Sequence, residues 1–239
     1  MDAGSNDQSL QTAWESLSHG RRADGHGAVY AFASPTSNVG TSYVTRNMAL
    51  LVAAQLPPGE QVLIVDMDIQ SSAQANWFFA QQAVTKYGSP DGPYDASFGM
   101  QPFWRVTPSM VGKDGQNLTD SHFMSLHVVN SANVAFTCFQ WQEFRPGQAV
   151  HMQNAHGYWL KLRENFAAIF VDTPALDRAD ILGAICPLAD STVLVCAPGE
   201  AQSKALGDAY TKISAMPSQC AGVILNDLPP QYSGYGGSI

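Results

Sequence analysis

Phe32-Ala-Ser-Pro-Thr-Ser-Asn-Val-Gly-Thr-Ser42 is the stretch that decides the fold. It follows an apolar, strand-like run from Ala28 to Ala33 and opens a helical pattern from Ser42 to Gln55. A strand, a tight turn and a helix N-terminus in succession make an anion cradle from backbone N–H groups and the helix dipole. The usual phosphate-loop pattern is G-x-x-x-x-G-K-[ST]. Against it, Pro35 stands at the first glycine, Gly40 at the second, Thr41 at the lysine and Ser42 at the magnesium-binding hydroxyl. Asn38 replaces a loop glycine, and asparagine is one of the few other residues that tolerate a left-handed backbone. Pro35 removes a backbone donor. The scaffold is kept while its principal charge is gone.

Outward from this loop, apolar strands alternate with helical patterns, the signature of an α/β fold with a parallel sheet. Strands are expected at Val29–Ala33, Val62–Val65, Leu126–Val129, Ala167–Val171, Thr192–Cys196 and Gly222–Leu225. Helices are expected at Ser42–Gln55, Ser72–Ala83, Val150–Asn165, Ala179–Leu188 and Ala201–Ala215. The predicted architecture is a P-loop three-layer α/β/α sandwich with a mostly parallel central sheet. Residues 1–26 read as a flexible N-terminal arm, 27–227 as the P-loop domain, and 228–239 as a flexible Gly/Tyr tail. Within the domain, residues 88–122 are rich in Gly, Pro, Ser and Asp and read as an irregular insertion.

Composition narrows the function classes. The chain has 239 residues, 45% apolar and only 13% charged, with a formal net charge of −8. That balance argues against non-specific binding to nucleic acid or to anionic lipid. Cys138, Cys186, Cys196 and Cys220 are scattered without metal-like spacing and fit buried thiols in a reducing cytoplasm. The polar, acidic start predicts no secretory leader, and no apolar run approaches the length of a membrane span. Any membrane association is therefore expected to be peripheral, through a partner.

Two further segments should meet the loop at the carboxyl ends of the central strands, where open α/β sheets bind ligands. Val62-Leu-Ile-Val-Asp66-Met-Asp68 is an apolar strand ending in two carboxylates, and Ala168-Ile-Phe-Val-Asp172-Thr-Pro174 is another ending in one. A strand-tip aspartate beside a Ser or Thr hydroxyl is how such sites hold a hydrated magnesium ion. Asp66, with Asp68 beside it, is the candidate to orient an attacking water, and Asp172 to hold a metal-bound water near Ser42. His151 and His156 read as surface histidines, and Asp177 and Asp180 as caps of the following helix.

The order of these motifs resembles the MinD/ParA class of P-loop proteins. Within it, the chain is similar to the cytoplasmic module of bacterial tyrosine kinases that serve capsule and exopolysaccharide assembly. The matching pieces are GTSYVTRNMAL, VLIVDMDIQ, LHVVNS, YWLKLRENFAAIFVDTPALDRADILGAICPLADSTVLVCAPGEAQ and GVILN, within residues 28–226. A pilus-localisation branch of the same class (TadZ/CpaE-like), which also tends to carry V-G-T-S, is the near competitor. The resemblance implies ATP or ADP with Mg²⁺ as cofactor, bound by Asn38, Val39, Gly40, Thr41 and Ser42. It implies a metal held at Ser42 and Asp172, adenine contacted by Asn226, and the nucleotide edge lined by Pro198-Gly199-Glu200.

It also implies homo-oligomerisation and a partner in an inner-membrane polysaccharide co-polymerase, or chain-length protein. Tyr232 and Tyr235 are candidate phosphorylation sites in the tail. Several kinase features have gone: both loop lysines, with Thr36 and Thr41 in their places, and both arginines of an N-terminal E-x-x-R-x-x-R stretch. That stretch corresponds to Thr12-Ala-Trp-Glu15-Ser-Leu-Ser18. The expectation is a degenerate kinase-like protein with weak or absent turnover. A positioning ATPase of a pilus or secretion apparatus and an active autokinase stand as alternatives.

Overall fold

Strands covered on both faces carry apolar side chains at nearly every position, and three such strands anchor the sheet. The computed structural model describes residues 3–17, 25–109, 111, 119–217 and 219–227. The chain begins with α1 (Ala3–Leu17), β1 (Ala28–Ala33), α2 (Thr41–Ala53), β2 (Val62–Asp66), α3 (Ala73–Phe78) and α4 (Gln81–Tyr87). It continues through β3 (Asp91–Asp95), β4 (Trp104–Thr107), β5 (Met124–Val129), β6 (Val134–Phe139), β7 (Ala149–Met152) and α5 (His156–Asn165). It closes with β8 (Ala168–Asp172), α6 (Leu182–Ile185), β9 (Ser191–Cys196), α7 (Lys204–Ser214) and β10 (Gln219–Leu225).

Eight strands form one sheet in the order β10-β9-β1-β8-β2-β6-β5-β3. The first six run parallel, and β5 and β3 add an antiparallel edge. Every residue of β1, β2 and β8 is buried. One face packs Met48 and Val44 of α2 and Phe78 of α3 against Tyr30, Phe32 and Phe170. The other packs Tyr158, Trp159 and Leu162 of α5, with Leu206 and Ile213 of α7, against Leu63, Val65 and Val171. This is the expected α/β architecture with a mostly parallel sheet. Register sets Asp172 beside Phe32 on one side and beside Asp66 on the other. The two aspartates therefore end adjacent strands next to the turn that leaves β1.

The structure departs from the sequence reading in several places. The segment expected to be a flexible arm contains α1, whose Leu10, Ala13, Trp14 and Leu17 pack on the α2 face of the sheet. Their spacing of three, four and seven is that of one helical stripe. The Trp14 ring meets Tyr30 edge-on at 5.2 Å, and Gln55, just past α2, donates to Gln11 at 2.7 Å. The region read as an irregular insertion holds β3, which extends the main sheet, and β4, which pairs with β7 in a separate ribbon. That pairing, Arg105 opposite His151, takes the start of the expected Val150–Asn165 helix into a strand, so α5 begins only at His156. The proposed tail, with Tyr232 and Tyr235, lies outside the described residues.

All four cysteines are free thiols. Among the described residues no helix is long and apolar enough to cross a membrane.

A docked α1 has a measurable consequence. Trp14→Ala is expected to lower unfolding free energy by about 1–3 kcal/mol, from lost apolar burial and aromatic contact. Urea unfolding of the variant checks this, and an unchanged midpoint would mean that α1 contributes no packing.

Candidate functional site

The turn between β1 and α2 has the backbone that its sequence requires. Asn38 and Gly40 adopt φ of 64° and 87°, the left-handed region. Gly40 is the N-cap of α2, and no side chain caps that helix. The first N–H groups of an α-helix lack intrahelical acceptors, so this end of α2 presents uncapped donors and the positive end of its dipole. The loop is tied down from β8 and its following segment: the Thr173 hydroxyl donates to Phe32 O at 2.8 Å, and Leu176 N–H to Ser34 O at 2.9 Å. From beyond β10, the Asn226 amide donates to Val39 O at 2.8 Å.

Two carboxylates also grip the loop. Thr36 Oγ1 donates to Glu200 at 2.8 and 2.9 Å. Asp177 accepts from the Ser37 N–H at 2.9 Å and from the Ser37 hydroxyl at 2.7 Å. These bonds to Ser37 hold the Asp177 carboxyl below the usual carboxylate range. One loop N–H is thus already satisfied by an internal anion.

Beneath the loop lies a buried polar cluster. Asp66 and Asp172 are 5% and 0% exposed. Gln74, fully buried on α3, links them: its backbone N–H donates to Asp66 Oδ2 at 3.1 Å. Its side-chain amide donates to Asp172 Oδ2 at 2.6 Å and to Ser42 O at 3.0 Å. The second oxygen of each aspartate, Asp66 Oδ1 and Asp172 Oδ1, is buried without a hydrogen-bond donor. Burial, followed by the Asp172 charge, pushes the Asp66 carboxyl well above its ordinary range. Burial also pushes Asp172 up to about 6, against the opposing effect of the Gln74 amide and the Ser42 hydroxyl.

Arg46, one turn into α2, supplies the compensating charge. It lies over the Trp77 ring at 4.5 Å and donates to Gln74 Oε1 at 3.4 Å. Burial lowers its pKa to about 10, with the Asp172 charge opposing that fall. Asp68 is engaged elsewhere, in a two-pronged ion pair with Arg178.

The structure therefore brings Asn38, Val39, Gly40, Thr41, Ser42, Asp66, Asp68, Asp172 and Asn226 to one end of the sheet. Three details go beyond the sequence reading. Asn226 binds the loop backbone through its amide. Asp177 binds Ser37, while Asp180 pairs with Lys212, and α6 has no side-chain cap. Asp68 is half of an ion pair. Gln74, Arg46 and Arg178 were missed. Their one sequence signal is placement: Gln74 lies in the first turn after the Asp66-Met-Asp68 tip, and Arg46 four residues after Ser42.

Chemically, uncapped helix donors suit an anion, and two buried carboxylate oxygens without donors suit a cation or a proton. Among the described residues no group of three or more ligating side chains could cage a metal alone. A divalent ion held by one or two of these carboxylates would complete its shell with water and phosphate oxygens, the usual manner of magnesium.

The fold and site define a P-loop α/β protein. No protein-family model matches the chain. In sequence it is 24% identical over 178 residues to the tyrosine-protein kinase CpsD of Streptococcus pneumoniae serotype 4, covering 74% of this chain and 67% of that one. In structure it is similar to the kinase domain of VpsO, with a TM-score of 0.57, 16% identity, and 94% and 97% of the two chains covered. It is also similar to the kinase domain of the Escherichia coli tyrosine kinase ETK, with a TM-score of 0.61, 13% identity, and 93% and 75% covered. The sequence match and the shared fold support the chain as a relative of the bacterial tyrosine kinases.

The raised Asp172 carboxyl predicts a pH dependence with a definite sign. An ordinary aspartate titrates near about 3.9, and Asp172 in the folded protein near about 6. The native state binds the extra proton between those values. This contribution is complete below the ordinary aspartate range and lost as pH rises through the raised range of the buried pair. Urea unfolding across pH 4–7.5 in a chelator should show that fall in the native chain and a smaller one in Asp172→Asn, which keeps the buried Asp66. Parallel curves for the two would refute the shift.

Proposed function

We propose that this chain is a degenerate, tyrosine-kinase-like P-loop protein that binds Mg-ATP or Mg-ADP weakly, turns it over slowly or not at all, and regulates or scaffolds bacterial exopolysaccharide biosynthesis or export. One observation carries the reading. The uncapped α2 terminus and the donor-less oxygens of Asp66 and Asp172 sit together, and the position between them that needs a lysine is Thr41. A ligand pairing phosphate with a divalent cation answers both demands, and nothing at position 41 answers the charge of a transition state.

In this reading the α2 donors and the Asn38–Gly40 turn receive the phosphates, with Ser42 and Asp172 holding magnesium. The ion, when bound, neutralises phosphate oxygens. Asp66 orients the attacking group through the oxygen that Gln74 leaves free. Asn226 braces the loop at Val39. Thr41 contributes at most a neutral hydrogen bond. A charge-stabilising group in such a site is worth about 3–4 kcal/mol, or roughly 10²–10³ in rate. The polysaccharide role rests on the family resemblance. In this reading the protein is a homo-oligomer that docks on the cytoplasmic face of an inner-membrane co-polymerase or chain-length protein.

Calorimetry with Mg-ATP, with phosphate release and tyrosine phosphorylation followed in parallel, tests this. Binding is expected, weakened in Ser42→Ala. Turnover should be near background in the native chain and raised by roughly 10²-fold in Thr41→Lys if the scaffold is otherwise competent. Rapid turnover by the native chain that collapses in Asp66→Ala would sink the pseudoenzyme reading.

A further inference from the structure

Among the described residues at this site, Arg178 is a paired cation whose side chain is still partly open to solvent. Its Nη1 donates to Asp68 Oδ1 at 3.1 Å and its Nη2 to Oδ2. The partners differ in depth: the Asp68 side chain is 6% exposed and that of Arg178 is 41% exposed. The buried carboxylate thus holds one side of a planar fork whose other side meets solvent.

Its neighbours place that fork. The preceding residue, Asp177, is bonded to the N–H and hydroxyl of Ser37 in the phosphate loop. Asp68 lies two residues past Asp66 at the tip of β2. The segment carrying Arg178 therefore spans from the loop to the acidic end of β2, across the carboxyl ends of the strands. The Asp68 contact, and after it the Asp177 and Asp172 charges, favour the charged guanidinium.

The charge balance at this end of the sheet is adverse to any nucleotide. Asp66, Asp68, Asp172, Asp177 and Glu200 converge there. Among the described residues, the guanidiniums that contact this group or the amide joining it are those of Arg46 and Arg178. Arg46 is 6% exposed and lies against Trp77, so it compensates the buried aspartates and cannot follow a ligand. Thr41 brings no charge.

We propose that Arg178 is the phosphate-recognising cation of this site, offering the solvent-facing side of its fork to the outermost phosphate of the bound nucleotide while Asp68 holds the other side. This rests on the nucleotide reading above. A guanidinium fork binds phosphate in the same two-pronged manner as carboxylate. Asp68 stays paired and fixes the orientation of the guanidinium. It keeps Arg178 poised at the rim, and an incoming anion meets a pre-oriented donor pair instead of a loop lysine. Arg178 is a binding and positioning residue, and its effect should be largest on the nucleotide that carries the outermost phosphate.

The test is calorimetric titration of Mg-ATP and Mg-ADP into the full chain and its variants. Arg178→Gln should weaken Mg-ATP by about tenfold or more and Mg-ADP by less than about threefold. Arg178→Lys, which keeps a charge but loses the fork, should weaken Mg-ATP several-fold. Because Arg178→Gln leaves Asp68 buried and unpaired, the double variant Asp68→Asn/Arg178→Gln provides a folded control and should show the same selective loss. Native-like affinity for Mg-ATP in the double variant, with binding by the native chain intact, overturns the role of Arg178 and leaves the nucleotide reading standing. Equal losses for the two nucleotides overturn the assignment to the outermost phosphate. Failure of the native chain to bind either nucleotide overturns both.

Discussion

The register that sets Asp66 beside Asp172 is the constraint on which the site depends. Two carboxylates at the ends of adjacent buried strands are costly, because burial removes water and each ionised group raises the cost of the other. The structure offsets this with an amide and a guanidinium brought from two different helices. Gln74 of α3 donates to both aspartates, once through its backbone and once through its side chain. Arg46 of α2 supplies charge from beneath. The offset is incomplete, since one oxygen of each aspartate remains without a donor and both carboxyls are pushed upward. A purely structural pair would gain from replacement by apolar residues. An incompletely satisfied pair at a topological switch point is instead what a ligand-binding site requires.

What the sequence made legible were the parts encoded by short-range pattern. The Ala28–Ala33 strand, the left-handed pair Asn38 and Gly40, and the aspartates ending β2 and β8 each announce themselves within a dozen residues. The partners that give those groups their chemistry do not. Gln74 reaches Asp172 across 98 residues, Arg178 reaches Asp68 across 110 and Ser37 reaches Asp177 across 140. Asp177 looks like a helix cap in sequence because an aspartate shortly before an apolar helical run usually is one. Here the loop competes for the same carboxylate and wins. The misread elements have a similar cause: β4 and β7 are four-residue strands that exist through pairing with each other, so neither carries a strand signal of its own. The α1 stripe Leu10, Ala13, Trp14 and Leu17 is short and sits in a polar segment, and its docking depends on Tyr30 and Phe170 presenting an aromatic surface to Trp14.

The loss of the loop lysine is best understood with the carboxylates that now touch the loop. A phosphate loop is a concave set of donors that favours an anion whether or not a nucleotide is present. In this chain Asp177 accepts from Ser37 and Glu200 from Thr36, so internal carboxylates satisfy part of that demand. A lysine at position 41 would add charge to a cradle already partly neutralised from within. Without it, Thr36, Ser37 and Arg178 donate to carboxylates of this chain's own, while the first N–H groups of α2 keep no side-chain cap. A nucleotide must then compete with those internal anions for its binding donors. Under the proposed nucleotide reading, that competition would lower affinity without dismantling the fold, since the strands and the buried Asp66–Gln74–Asp172–Arg46 cluster lie below the loop.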